Sequence, residues 1–413
     1  MNTIDKYVIK WEVFMEIYGM CDPKFQQVAD QFERNFLEHG EVGASVCITL
    51  EGETVVDLWG GTANNETQTQ WEEDTVSIIW SSTKGATALC AHILSSRGLL
   101  DMDAPVVNYW PEFGKAGKEN ITVKMLLNHQ AGVAAIRKPL SHGAFSDWNT
   151  MVHALEEEIP FWEPGTRHGY HALTFGWLVG EVVRRVSGKS LGQFFQNEVA
   201  KPLGIDFWIG LPKGIEPRVA KMITAETQTD TPFYQAMLEP NSIQSFVFNT
   251  GGLMEQFDSR IGHASEIGAA NGITNARGLA GMYAPLACGG SLDGVTLVDK
   301  GTLMSMSSVS SATGQDAVLL GPKRFTLGYN KSIDNRKLPL GYQDSCILSE
   351  DAFGHAGNGG SIGFASPNEK MSFAYTMNKM GAGISINQRG QSLIDATYLS
   401  LGYTTNSPGS WIK

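Results

Sequence analysis

Trp80-Ser81-Ser82-Thr83-Lys84 stands at the head of an apolar helical pattern that runs from Gly85 to Gly98. Cβ atoms three residues apart on a helix lie roughly 5–6 Å from one another, so the Ser81 hydroxyl and the Lys84 amine share a face. A hydroxyl beside an amine is a nucleophile beside its base. At a helix mouth, free N–H groups and the helix dipole also favour developing negative charge. Behind the pair, Ala86, Leu89, Cys90, Ile93 and Leu94 recur at helical spacing and predict a buried stripe. Arg97 and Gly98 close the helix with a cation and a C-cap. Ser82 is only two residues from Lys84, so it points elsewhere and reads as a cap.

Two other serines compete for the nucleophile's role. Ser410 and Lys413 repeat the spacing, but they follow Pro408-Gly409 at the chain end, where no pocket can form around them. Gly359-Gly360-Ser361-Ile362-Gly363 matches a nucleophile elbow, which requires a strand, a turn and a helix, then an acid and a histidine in chain order. No histidine follows His355, and the residues after Ser361 carry a strand pattern. Ser81 is left as the candidate.

The rest of the chain supplies a frame for it. Pro23 to His39 has Phe25, Val28, Phe32 and Phe36 near helical spacing. Gly43 to Leu50 and Thr54 to Trp59, joined by Glu51-Gly52-Glu53, predict a hairpin whose second strand ends at Gly60-Gly61. Ile121 to Leu127 starts a short helix, and Tyr170 stands just before another with Phe175, Leu178, Val179, Val182, Val183 and Val186 on one face. Phe325 to Tyr329 is a candidate strand. Ser361 to Ala365 and Met371 to Met377 flank the turn Pro367 to Lys370 as a second hairpin, and Ile386 to Leu399 reads as a closing helix. Hairpins at both ends with helices between them predict an α+β protein. Its sheet domain combines residues 1–80 and 311–413, and residues 81–310 form a mainly helical domain.

Composition narrows the function. The 413 residues are 42% hydrophobic and 18% charged, enough to bury a large core in two packed lobes. A formal net charge of −12 repels phosphate backbones and anionic lipid, which argues against nucleic-acid partners. Five scattered cysteines lack any Cys-x-x-Cys pair and read as reduced thiols. No stretch approaches the ~18 apolar residues of a membrane helix. Met1 to Met20 interleaves charges with apolar residues and lacks a signal-peptide core, so the expected location is cytoplasmic. His168 and His171 have no third ligand nearby, so no metal is expected. His129 reads as structural, and Tyr170 by itself could be a packed tyrosine with a wet hydroxyl.

Three motifs in order carry a resemblance: Ser81-Ser82-Thr83-Lys84, Trp162-Glu163-Pro164-Gly165-Thr166 with Tyr170 beyond it, and His355-Ala356-Gly357. Together they resemble the serine β-lactamase and penicillin-binding superfamily, class C β-lactamases among them and, more closely, family VIII carboxylesterases. Supporting stretches are Val56 to Gly61, Leu126 to Gly132, Asn271 to Arg277 and Gly354 to Gly360, so the resemblance spans roughly residues 25 to 400. It implies a β-lactamase/transpeptidase-like fold, an antiparallel sheet flanked by helices beside a mainly helical lobe.

By that resemblance Ser81 is the acylated nucleophile. Lys84, kept partly neutral by burial and neighbouring positive charge, takes its proton. Tyr170, its phenol acidified by the Lys84 ammonium, is the partner base and later the acid. The N–H groups of Ser81 and Asn358 form the oxyanion hole, and His355 and Gly357 line the site, with His355 hydrogen-bonding substrate or Tyr170. The resemblance implies no cofactor, no metal and no membrane. The partner is a small-molecule ester, with a homo-oligomer possible.

Two departures shift the expected substrate. Tyr170-His171-Ala172 stands where penicillin-recognising enzymes usually have Tyr-x-Asn, and His355-Ala356-Gly357 where most have Lys-Thr-Gly. A site without that amide and that fixed cation suits uncharged, short-chain acyl esters better than penicillins. The rivals are a β-lactamase, D-aminopeptidase or acyltransferase of the same fold, and a non-catalytic binding protein that retains it.

Overall fold

The computed structural model describes residues 16–225 and 231–413. Most of Met1 to Met20, with its expected lack of a signal-peptide core, therefore lies outside the described residues. Its end does not: Ile17–Cys21 forms strand β1, which the sequence analysis did not anticipate, and pairs antiparallel with the hairpin at the amino-terminal side.

That hairpin is β2 (Gly43–Leu50) and β3 (Glu53–Asn64). Its turn places Glu51 at φ 54° and Gly52 at φ 92°, the paired left-handed conformation whose twist matches the flanking strands. β3 continues past the expected stop at Gly60-Gly61. Gly61, at φ 85°, bends the strand where a Cβ would press into the Val42 carbonyl, so this glycine permits close approach rather than ending the element. The carboxyl-terminal strands are β4 (Phe353–Ala356), β5 (Ile362–Ser366) and β6 (Met371–Met377). The sheet runs β1-β3-β2-β6-β5-β4, antiparallel throughout, with Val46 opposite Tyr375 and Tyr375 opposite Ile362.

Both faces of this sheet are buried, which is why its strands read as continuous apolar runs. Val46, Ile48, Ile362, Phe364, Phe373 and Tyr375 enter one core with Phe32 and Phe36 of helix α1 (Gln26–Glu38). The intervening Cys47, Ala365 and Ala374 enter the other. That second core is shared by α2 (Thr83–Ser96), α3 (Thr174–Ser187) and α4 (Ala276–Ala287). α4 comes from the stretch expected to be a separate helical lobe, yet it packs directly on β2, β5 and β6. Arg277 at its start pairs with Asp57 of β3 at 2.7 Å. Helix α5 (Gln388–Ser400) is capped by Asn387 and packs on α1.

The candidate strand Phe325 to Tyr329 is displaced. Lys323–Phe325 pairs with Ser311–Thr313 in a small two-stranded unit beside the site. A second small sheet joins Ser77–Ile78, Gly272–Thr274 and Phe207–Ile209, and delivers the chain to α2. No helix among the described residues is long and apolar enough to cross a membrane.

Candidate active site

Ser77–Ile78 leads through a tight turn into α2, and the turn is strained: Trp80 sits at φ 47°, unusual for a bulky residue. Thr83 Oγ1 donates to the Trp80 carbonyl at 2.5 Å and accepts from Gly272 N at 2.8 Å, locking the turn to the small sheet. Ser81 therefore stands clear of the helix axis. Ser82 makes no capping bond. Its buried hydroxyl instead lies 3.4 Å from Ser361 Oγ, which corrects the cap assignment.

Lys84 is completely buried, and its Nζ has three neighbours: Ser81 Oγ at 3.1 Å, the Ala172 carbonyl at 2.7 Å and the Ala269 carbonyl at 2.8 Å. Burial holds the amine well below its ordinary pKa. No neighbouring positive charge contributes, so the expected second cause is absent. A neutral amine has two N–H bonds and one lone pair. Both carbonyls can only accept, so in the neutral form they take the two N–H bonds and the lone pair is left for Ser81. The geometry places the Lys84 amine in hydrogen-bond contact with the Ser81 hydroxyl.

Tyr170 completes the group. Lys84 Nζ lies 4.7 Å from its ring centre, and its hydroxyl faces Ser81. Burial pushes the phenol above its ordinary value, with the Ser81 hydrogen bond pulling the other way. The expected acidification by a Lys84 ammonium does not occur, because burial dominates and raises the phenol. Burial thus favours the uncharged form of both groups, the free amine and the protonated phenol.

Three histidines stand close to this centre. His355 lies on β4 and is 3% exposed; its Nδ1–H donates to the Ala356 carbonyl at 2.7 Å, and its Nε2 has no partner. Burial, with Lys84 adding, pushes its pKa down to about 3. The third motif therefore places no cation here at neutral pH. His355 packs its ring 6.1 Å from that of Tyr170 without hydrogen-bonding it, contrary to that alternative. His171 donates to the Gly169 carbonyl and packs edge-on against Trp162. His129 Nδ1 accepts from His171 N at 3.1 Å, the structural role expected of it. Among the described residues no cluster of His, Cys, Asp or Glu could hold a metal.

The other wall is the turn Gly357 to Gly360 between β4 and β5. Asn358 N–H and Ser81 N–H donate to no acceptor within hydrogen-bond distance among the described residues, so both are free for a ligand oxygen. Gly357 is required: a Cβ there would meet Ser361 Oγ and the Ile79 carbonyl. Ser361 is fully buried and donates to Ile79 O at 2.7 Å, tying β5 to the nucleophile's turn. Asn387, missed in the sequence, caps α5 with its oxygen while its Nδ2 donates to Gly359 O at 2.6 Å. Its place just before the closing helix was the available signal.

Beside Trp80 and Asn358 opens a cavity of about 220 Å³ whose walls include Tyr234, Phe248, Met254, Phe257 and Met380, with no charged side chain among the described residues. A larger cavity of about 510 Å³ shares Tyr234 and Gly383 with it but contains none of Ser81, Lys84 and Tyr170. The smaller one also contains none of the three, but it includes their neighbours Trp80 and Asn358.

A serine, a buried lysine and a tyrosine gather where a helix meets an antiparallel sheet, on the β-lactamase/transpeptidase-like fold of a serine hydrolase. The chain belongs to the Beta-lactamase family, whose model matches residues 29–392. It is 33% identical over 376 residues to the esterase/beta-lactamase LipL of Mycobacterium tuberculosis, covering 88% of this chain and 83% of that one. It is similar to a family VIII carboxylesterase crystal structure, with 38% identity and a TM-score of 0.80 over 93% of this chain and 100% of that chain. A penicillin-binding protein homologue from Caulobacter crescentus matches at 33% identity and a TM-score of 0.80 over the same shares, 93% and 100%.

Proposed function

We propose that this protein is a serine carboxylesterase that hydrolyses short-chain, uncharged acyl esters through an acyl-enzyme on Ser81. The observation that carries the reading is the Ser81, Lys84 and Tyr170 constellation, with a mainly apolar cavity beside its neighbours Trp80 and Asn358. Ser81 Oγ attacks the ester carbonyl carbon while its proton passes to the Lys84 lone pair. The carbonyl oxygen takes up the negative charge and is met by the N–H groups of Ser81 and Asn358. The bond to the alcohol then breaks, and Tyr170 gives the departing oxygen its proton, recovering one from Lys84. Water repeats the sequence in reverse and frees Ser81.

An ester is favoured over a lactam because His355 brings no cation to a substrate carboxylate and His171-Ala172 offers no side-chain amide. The reading needs no cofactor. It places the enzyme in the cytoplasm, where its five free cysteines stay reduced.

The test is hydrolysis of p-nitrophenyl butyrate and of a chromogenic cephalosporin by wild type and Ser81→Ala. Ester turnover should exceed cephalosporin turnover and vanish in the variant. An unchanged ester rate in Ser81→Ala would remove the nucleophile, faster cephalosporin turnover would favour a β-lactamase, and neither activity in wild type would favour a binding protein.

A further inference from the structure

Tyr170 belongs to no helix or strand, so its position has to come from elsewhere. Its main-chain N–H donates to both oxygens of Asp316, at 3.0 Å each. Asp316 is fully buried and its carboxylate is held in turn by Val318 N and Leu319 N, both at 2.8 Å. Two residues back, Ala317 N donates to the His168 carbonyl at 3.0 Å. The 316–320 turn thus brackets the tyrosine's main chain from both sides. The turn is itself anchored, because Gln244 Nε2 donates to the carbonyls of Ala317 at 3.1 Å and Val318 at 2.8 Å.

This arrangement is costly for a structural device alone. Burying a carboxyl is unfavourable unless a cation or several donors compensate it. Among the described residues, the one basic group within ion-pair distance is His168 Nε2, at 3.6 Å from Oδ2. Burial pushes that imidazole toward its neutral form. Asp316 is therefore satisfied chiefly by main-chain N–H groups, one of which belongs to Tyr170. A small main-chain rotation at residue 170 is magnified at the phenol oxygen, which lies at the far end of the ring.

We infer that Asp316 is a positioning residue for the reaction: its carboxylate fixes the Tyr170 main chain so that the phenol meets Ser81. The inference rests on the acid–base role given to Tyr170 above. Asp316 touches neither substrate nor reacting atoms, and acts only through Tyr170.

The experiment compares Asp316→Asn and Asp316→Ser with Tyr170→Phe and with both double variants, using p-nitrophenyl butyrate. Serine still bonds the Val318 and Leu319 N–H groups and preserves the turn, but is too short to reach Tyr170 N. With active enzyme counted from the p-nitrophenol burst, each Asp316 variant should lose about 10–100-fold in kcat, the scale of a small misplacement, with KM changed less than about 3-fold. In the Tyr170→Phe background neither substitution should lower kcat further. An unchanged kcat in a folded Asp316 variant overturns the inference. So does the same fold loss with and without the phenol, or failure of both variants to fold, since Asp316 would then serve the fold generally. Near-normal turnover by Tyr170→Phe would instead remove the role of Tyr170 itself.

Discussion

Ser361 Oγ donates to the carbonyl of Ile79 at 2.7 Å, two residues before the nucleophile. A serine whose surroundings match a nucleophile elbow thus serves as a rivet between β5 and the turn that presents Ser81. Its burial denies it any substrate.

Ser361→Ala should therefore keep ester turnover within a few-fold of wild type and lower stability by about 1 kcal/mol, the net worth of one buried hydrogen bond. Ile79 O retains Ser82 N as a donor at 3.1 Å, which limits the cost. Urea denaturation beside a p-nitrophenyl butyrate assay measures both, and loss of activity at unchanged stability would revive the elbow.

Gly357→Ala acts on the same contact with the opposite balance. The added Cβ pushes against Ser361 Oγ and the Ile79 carbonyl, and the displaced turn carries Asn358 N–H with it. A stability loss of about 1–3 kcal/mol is expected from overpacking, with a fall in kcat that exceeds any change in KM. Wild-type kcat in a folded variant would remove Asn358 from the oxyanion site.

Histidine burial sets an acid limit on stability. Burial lowers the folded-state pKa of His92 to about 4 and of His171 and His355 to about 3. In the unfolded chain they titrate near ~6.5. Between those values the unfolded state binds protons that the folded state refuses, so their contribution is intact above ~6.5 and falls away toward 3–4. The urea midpoint should drop between pH 7.5 and pH 5. His92→Gln, remote from Ser81, should drop less. Equal wild-type midpoints at the two values would contradict this.

Lys84 works in the alkaline range by the same linkage. Its folded pKa lies well below that of the unfolded lysine, so the unfolded chain holds the extra proton across that interval and stability rises with pH there. Lys84→Met removes this slope along with the base. The variant should be inactive, and the stability difference between it and wild type should move in favour of wild type from pH 7 to pH 10. A difference that does not change with pH would mean the folded amine is charged.

The legibility of the site followed from chain-local chemistry. Ser81 and Lys84 are one helical turn apart, so spacing alone placed them together, while chain order set aside Ser361 and position at the chain end set aside Ser410. The hairpins at both ends were readable because their turns carry Glu51-Gly52 and Pro367-Asn368, whose backbone preferences are local. Residues 189 to 310 resisted the same reading. Their helices are short, and α4 is apolar because it lies beneath the sheet, a fact held in no local pattern.

The sequence by itself determined the α+β class, the pairing of Ser81 with Lys84 on one helical face and the missing cation of the third motif, since residue type, spacing and order fix each of these. Only the tertiary structure decided the charge states and the supports. Burial holds the Lys84 amine well below its ordinary pKa, and carbonyls from residues 172 and 269, far along the chain, close over it. Tyr170 stays protonated because it is buried, and Asp316 and Asn387 matter because folding carries them to within 3.0 Å of Tyr170 and Gly359. A desolvation cost or a hydrogen bond depends on what surrounds an atom in space, and most of that surrounding comes from far along the chain.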